Sequence, residues 1–237
     1  MLNLAEKQEA IRLPQSRISA FQQCIEYDPE THPNNHALIG ISPFNGYFTT
    51  SNIEKTLIWA HSNFRSFDVF TMDKASKYNL IAMGYSEDEA IKKTKKQDQH
   101  LKNKIMRGLK NTGFSESVAE KKIVLISKLC DNGQYIELYK YCRNLFRSNS
   151  SFRDDCLYAS KQILLDKTDR ITDELLDVSV QYLLEELPVW INTPHILGVP
   201  FSVFVYKDLS DCWYNLFNRY GLVSNNQKIL VKCLSED

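Results

Sequence analysis

Two stretches of the chain carry side chains that could do chemistry. The first is His36-Ala37-Leu38-Ile39-Gly40-Ile41-Ser42-Pro43-Phe44-Asn45-Gly46-Tyr47-Phe48. An apolar run broken by one glycine leads into a serine. Ser42-Pro43 ends the strand, because proline lacks the N–H that a ladder needs, and Phe44-Asn45-Gly46 is turn chemistry. A hydroxyl just past a strand's carboxyl end sits where parallel α/β folds place their sites. Ser42 is therefore a candidate nucleophile; the plain alternative is a strand that ends in a turn. The second stretch is Tyr182-Leu183-Leu184-Glu185-Glu186-Leu187-Pro188. On a helix, Tyr182 and Glu186 lie one above the other on a single face. Leu175 and Ser179 continue that stripe, with Leu176, Leu183 and Leu187 beside it. A carboxylate against an apolar face is desolvated unless it meets a cation or a donor. The alternative is a glutamate that reaches past the stripe to water.

The elements that must position these groups read as strands separated by helices. His36 to Ser42 is the first strand. Ser51 caps a helix from Asn52 to about Ser62, with Ile53, Leu57, Ile58 and Trp59 facing inward. Phe67 to Thr71 is a second strand, and a short helix spans Lys74 to Met83 and closes at Gly84. Ser86-Glu87-Asp88-Glu89 is a capping box that opens a long helix to about Leu109. Ile123 to Ser127 is an unbroken apolar strand, expected to be buried on both faces. Helices follow over 135–148 and 152–165, and another starts at Thr172 and stops at Pro188. Phe201 to Tyr206 is a fourth strand, Asp211 to Tyr220 a helix, and Lys228 to Cys233 an edge strand. This alternation predicts an α/β fold, a Rossmann-like parallel sheet flanked by helices. It is read as a single domain over 1–237, with 1–35 a leader, including a short strand or helix over Ile18 to Tyr27, and 36–237 the core.

At 237 residues, with 43% apolar and 24% charged residues, the composition is that of a globular protein. The formal net charge is zero, so an anionic partner must be met by a local patch. Six scattered cysteines without a C-x-x-C pair read as reduced core residues. The charged first thirteen residues lack a signal-peptide core, and no apolar run reaches membrane-span length. A cytoplasmic monomer is expected.

The basic residues concentrate in the long helix. Lys92, Lys93, Lys95, Lys96, Lys102, Lys104, Arg107 and Lys110 share their stretch with one acid, Asp98. Ile91, Leu101, Ile105 and Leu109 form a narrower apolar stripe, which leaves a wide positive arc suited to phosphates. A merely solvated helix face is the alternative. There is no Walker loop, no G-x-G-x-x-G and no metal-ligand spacing among the five histidines. Gly40-Ile41-Ser42-Pro43-Phe44 is half of a hydrolase elbow, with Phe44 in place of the second glycine. With His195 it leaves a serine esterase or acyltransferase as an alternative. Asp73-Lys74-Ala75-Ser76-Lys77 faintly echoes an ATP-binding loop but is read as a helix start.

Taken together, His-x-apolar-apolar-Gly-apolar-Ser and Tyr-x-x-x-Glu-x-Pro resemble the paired signatures of the cyclodipeptide synthases. The resemblance implies a fold like the catalytic domain of class I tyrosyl- and tryptophanyl-tRNA synthetases, without ATP or metal. It implies two aminoacyl-tRNAs as substrates, and neither DNA nor membrane as partner. Ser42 would take the first aminoacyl group as an ester; the amine of the second substrate would then attack, and cyclisation would give a 2,5-diketopiperazine. By the same resemblance, Asn45 hydrogen-bonds the aminoacyl moiety, Tyr182 and Glu186 hold its amino group, and Tyr206 completes the site. Leu38 and Gly40 line the first side-chain pocket, and the basic helix carries the tRNA. Lys207 follows Tyr206 where the family's two groups have His or Pro, so the subgroup is open. Apolar substrates such as Leu or Phe are expected. A non-catalytic tRNA-binding module is the remaining alternative.

Overall fold

The computed structural model describes residues 35–165 and 167–231. The leader's expected strand or helix, Cys24 and Cys233 lie outside the described residues. Five parallel strands form one sheet in the order β3-β2-β1-β4-β5: β1 (His36–Gly40), β2 (Ser66–Thr71), β3 (Ile123–Leu125), β4 (Ser202–Tyr206) and β5 (Gln227–Val231). Parallel neighbours require crossover connections, and each one here is helical. The helices are α1 (Thr50–Asn63), α2 (Lys77–Ala82), α3 (Glu87–Asn111), α4 (Glu116–Lys121), α5 (Ile126–Leu129), α6 (Gly133–Ser148), α7 (Ser150–Leu165), α8 (Asp173–Leu197) and α9 (Asp211–Tyr220).

Strand alternation divides the interior into two layers. Ala37, Ile39 and Ile41, with Val69, Val203 and Val205, pack against α1, α3 and α4. Leu38, Phe70 and Phe204 point the other way, into the core made by α6, α7, α8 and α9. His36, the first residue of the serine motif, is structural. One ring nitrogen lies 2.9 Å from Ser202 Oγ and the other 3.2 Å from Asp68 Oδ2, which ties β1 to both neighbours. No helix among the described residues is long and apolar enough to cross a membrane.

The parallel sheet covered by helices and the Ser86 capping box are as expected; both reciprocal hydrogen bonds of the box are present. Several local expectations are corrected. Thr49, not Ser51, caps α1, accepting from the Asn52 N–H at 3.1 Å. Ile58 and Ile91 are exposed, and the inner stripes use Thr56 and Ala60 on α1 and Ala90 and Thr94 on α3. The short helix after β2 starts only at Lys77, because Lys74, its expected first residue, adopts the left-handed region (φ 61°) next to Asp73, which accepts from the Ser127 N–H at 2.9 Å and its hydroxyl. β3 is an edge strand, only partly buried, and breaks into α5 at Ile126. Helix α4 was not expected.

The correction that matters most concerns α8. It does not stop at Pro188 but continues through it to Leu197, with a break at Asn192 (φ −158°, ψ 61°). Asn192 recaps the second segment by accepting from the His195 N–H at 3.2 Å, which places Pro194 in a first turn where no N–H is needed. Burial on nearly every side outweighs the hydrogen bond that Pro188 removes.

Candidate active site

The site forms where the strand order reverses. From β1 the chain moves through β2 to β3 on one side and later returns through β4 to β5 on the other. The carboxyl ends of β1 and β4 therefore flank the crevice that open α/β sheets use for ligands. Ser42 leaves β1 two residues past its end, and Tyr206 is the last residue of β4. Their side chains meet: Ser42 Oγ lies 2.7 Å from the Tyr206 hydroxyl. Gly40 makes room for this approach. A Cβ there would stand 2.9 Å from Phe204 Cζ and 3.0 Å from Tyr206 Cδ2. The turn after Ser42 holds Phe44 in the left-handed region (φ 57°), and Asn45 Oδ1 accepts from the Tyr47 N–H at 3.0 Å.

A cavity of about 640 Å³ opens over these groups, and Ser42, Asn45, Tyr182, Glu186 and Tyr206 all line it. The structure thus brings together all five residues expected to act. Leu38 and Gly40, expected in the first side-chain pocket, are not in its wall: Leu38 packs in the core behind it, and Gly40 is the space for the two rings.

Burial dominates the electrostatics. Glu186 is 6% exposed, and desolvation pushes its carboxyl up to about 7. The nearby Trp190 indole pulls the other way without making a well-formed hydrogen bond. Burial, then the Glu186 charge, raises the Tyr182 hydroxyl well above its ordinary value. Tyr206 is raised for the same two reasons, against smaller opposing pulls from Ser42 and Asn45. Both phenols therefore keep their protons at neutral pH, and Glu186 stands close to the point of exchanging one. A neutral phenol both gives and accepts a hydrogen bond, so the Ser42–Tyr206 pair can pass a proton without either becoming an anion.

Sequence reasoning missed part of the wall. Trp190 stacks on Trp213 (centroids 5.2 Å apart, 25°) and packs 4.2 Å from the Phe204 ring centroid; both tryptophans line the cavity. Trp190 lies four residues after Glu186 and was legible on the same helical face, but the expected stop at Pro188 hid it. Asn79, Leu80 and Met83 bring α2 into the wall.

The basic residues of α3 divide by position. Lys93 and Lys96 line a second opening that shares Phe44, Leu80 and Met83 with the main cavity. Lys102, Arg107 and Lys110 line a separate groove further along the helix. Lys104 donates to the Phe48 carbonyl at 3.2 Å, and Lys110 pairs with Glu116 at 2.9 Å. Lys92 and Lys95 are exposed. Lys207 pairs with Asp208 and lies 5.7 Å from the Tyr47 ring centroid.

The esterase arrangement is not formed. His195 sits near the end of α8, where the chain enters β4 at its amino end, and its ring nitrogen lies 3.6 Å from Glu137. It is absent from the cavity wall, and the partner of Ser42 is a phenol.

Comparison with known proteins agrees with this geometry. Residues 29–228 match the cyclodipeptide synthase family model. A cyclo(L-leucyl-L-leucyl) synthase of Staphylococcus haemolyticus is 30% identical over 199 residues, 81% of this chain and 84% of that protein. A solved cyclodipeptide synthase structure from Staphylococcus haemolyticus superposes with a TM-score of 0.80 at 28% identity, covering 91% of this chain and 96% of that one. A second, from Mycobacterium tuberculosis, described as relating these enzymes to type I tRNA synthetases, gives a TM-score of 0.73 at 25% identity over 85% and 86% of the two chains. With the serine and the tyrosine–glutamate pair meeting at the switch point of a class I synthetase-like sheet, the chain belongs to the cyclodipeptide synthase family.

Proposed function

We propose that the protein joins two aminoacyl groups, delivered as aminoacyl-tRNAs, into a cyclic dipeptide through a covalent aminoacyl ester on Ser42. The observation that carries the reading is the 2.7 Å contact between Ser42 and Tyr206 inside a cavity that also presents Tyr182 and Glu186. An aminoacyl-tRNA is already an activated ester, so transfer to Ser42 exchanges one ester for another. Ser42 Oγ bonds to the carbonyl carbon, the bond to the ribose oxygen breaks, and that oxygen takes the proton that leaves Ser42 by way of the Tyr206 hydroxyl. Positioning contributes more here than a depressed serine pKa.

Glu186 and Tyr182 receive the α-ammonium. An ammonium must lose a proton before its nitrogen attacks, and a carboxylate poised near neutrality takes it. One amine attack on an ester gives the first amide; the remaining amine attacks the remaining ester and closes the ring. Each attack releases an alcohol, the tRNA ribose or Ser42. Asn45 fixes the acyl group beside Tyr206. Lys93 and Lys96, next to the cavity, accept phosphates of the tRNA, with the other basic residues of α3 along its path. The apolar wall built from Leu80, Met83, Trp190 and Trp213 suits apolar side chains, and the leucyl product of the staphylococcal relative makes leucine the first amino acid to test. The protein acts as a cytoplasmic monomer.

Expression in a bacterial host, with mass spectrometry of the medium beside a Ser42→Ala control, tests the reading. A diketopiperazine present with the parent and lost in the control is expected. Equal product with and without Ser42, or none from either, rejects it.

A further inference from the structure

Helix α2 packs against α8 through two polar contacts. Tyr78 donates to Glu185 Oε1 at 3.2 Å, and Ser179 Oγ donates to Asn79 Oδ1 at 2.8 Å. Ser179 is 1% exposed and lies one turn before Tyr182, in the same row of α8 that ends at Glu186. The second contact fixes more than a helix position. A side-chain amide has two N–H donors and an oxygen with two lone pairs, and the Ser179 hydroxyl takes one of those lone pairs, which fixes the end of the amide that faces α8. Asn79 lines the cavity that holds Ser42; beside it in that part of the wall Leu80 and Met83 carry no hydrogen-bonding N–H or O–H in their side chains, and the Ser76 hydroxyl donates to the Met72 carbonyl at 3.3 Å. With its oxygen turned to Ser179, the amide offers the cavity its N–H groups.

We propose that Asn79 is a further substrate-binding residue of the synthase reaction, donating from Nδ2 to a carbonyl oxygen of a bound aminoacyl group, with Ser179 as its positioning residue. The inference rests on the synthase reading above. It complements the other end of the row: Glu186 can accept from an ammonium, whereas Asn79, with its oxygen turned to Ser179, presents donors that suit an acyl oxygen. A carbonyl so held is also polarised toward attack, because the oxygen gains negative charge as the tetrahedral centre forms.

Three variants separate this role from a structural one. Asn79→Asp keeps the size and the bond from Ser179 but replaces the donors with an acceptor. Asn79→Leu removes both, and Ser179→Ala frees the amide to turn. Steady-state product formation with leucyl-tRNA, the aminoacyl-enzyme level and thermal unfolding are measured on each. We expect Asn79→Asp to unfold near the parent temperature while kcat/KM falls at least tenfold. Asn79→Leu should lose as much, and Ser179→Ala should lose less. An active parent whose kcat and KM are matched within twofold by both Asn79 variants overturns this inference and leaves the synthase reading standing. So does loss of activity in Asn79→Leu alone, accompanied by a lowered melting temperature, since that is a packing effect. A parent that makes no cyclic dipeptide overturns the synthase reading and this inference with it.

Discussion

Burial leaves Glu186 with a carboxyl near 7, against 4.5 for an ordinary glutamate, and that single displacement has two consequences of opposite sign. For activity, the proposed mechanism uses the ionised form to hold the ammonium and take its proton. Product formation should therefore rise with pH through about 7, and Glu186→Gln should lose that limb together with most of the rate. For stability, the folded state binds the proton more tightly than the unfolded one. The contribution is fully present below about 4.5 and is lost as pH rises through about 7. The shift corresponds to roughly 3 kcal/mol. Denaturant midpoints at pH 5.5 and 8 check this: Glu186→Gln should narrow the difference between the two and exceed the parent at pH 8. Identical profiles for parent and variant would mean that Glu186 is solvated in the folded protein. Ser42 at the end of its strand and the Tyr182–Glu186 face of α8 were legible in local sequence patterns, whereas Tyr206 came only from the family resemblance. Asn79 and Met83 were not legible, because their part in the wall depends on how α2 packs against α8, and Trp190 was hidden by the expected stop at Pro188.

At the scale of elements, the glycine of the serine motif shows how one strand position sets another strand's side chain. Gly40→Ala places a methyl 2.9 Å from Phe204 and 3.0 Å from Tyr206, so the rings of β4 must move. Overpacking of this kind costs about 1–3 kcal/mol. Equilibrium unfolding should show that loss, and product formation should fall further than stability alone explains, since Tyr206 is displaced from Ser42. Helix α3 makes a second testable case. Lys93 and Lys96 border the opening beside the cavity, whereas Lys104 is engaged with the Phe48 carbonyl and Lys110 with Glu116. Reversing Lys93 and Lys96 to glutamate should weaken tRNA binding and reduce the slope of log affinity against log salt by roughly 2. Reversing Lys110 should do much less; equal effects would mean that the helix acts only as a diffuse positive surface. Periodicity revealed α3, its capping box and the buried Leu101, Ile105 and Leu109 of its inner stripe, yet it misplaced the first member, with Ala90 buried and Ile91 exposed. A small residue fits where α3 packs closely, and hydrophobicity alone does not report that.

The whole molecule carries no net charge, so the concentration of lysines on α3 acts as a local field beside the cavity and not as a global one. Strand–helix alternation made the parallel sheet legible. The strand order that puts Ser42 beside Tyr206, 164 residues apart, was not, because no local pattern encodes which strand lies next to β1. Pro188 was misread for a similar reason: local chemistry says that proline ends a helix, and tertiary burial carried α8 through it. On the proposed reading, this architecture serves one covalent step, the transfer of an acyl group to Ser42. Intact-protein mass spectrometry of acid-quenched enzyme, after brief incubation with leucyl-tRNA, tests that step most directly. The account predicts a mass increase of one leucyl group, located by peptide mapping to the segment that contains Ser42 and absent from Ser42→Ala. Cyclic dipeptide formed at the parent rate by Ser42→Ala, or a leucyl adduct on any other residue, would contradict it.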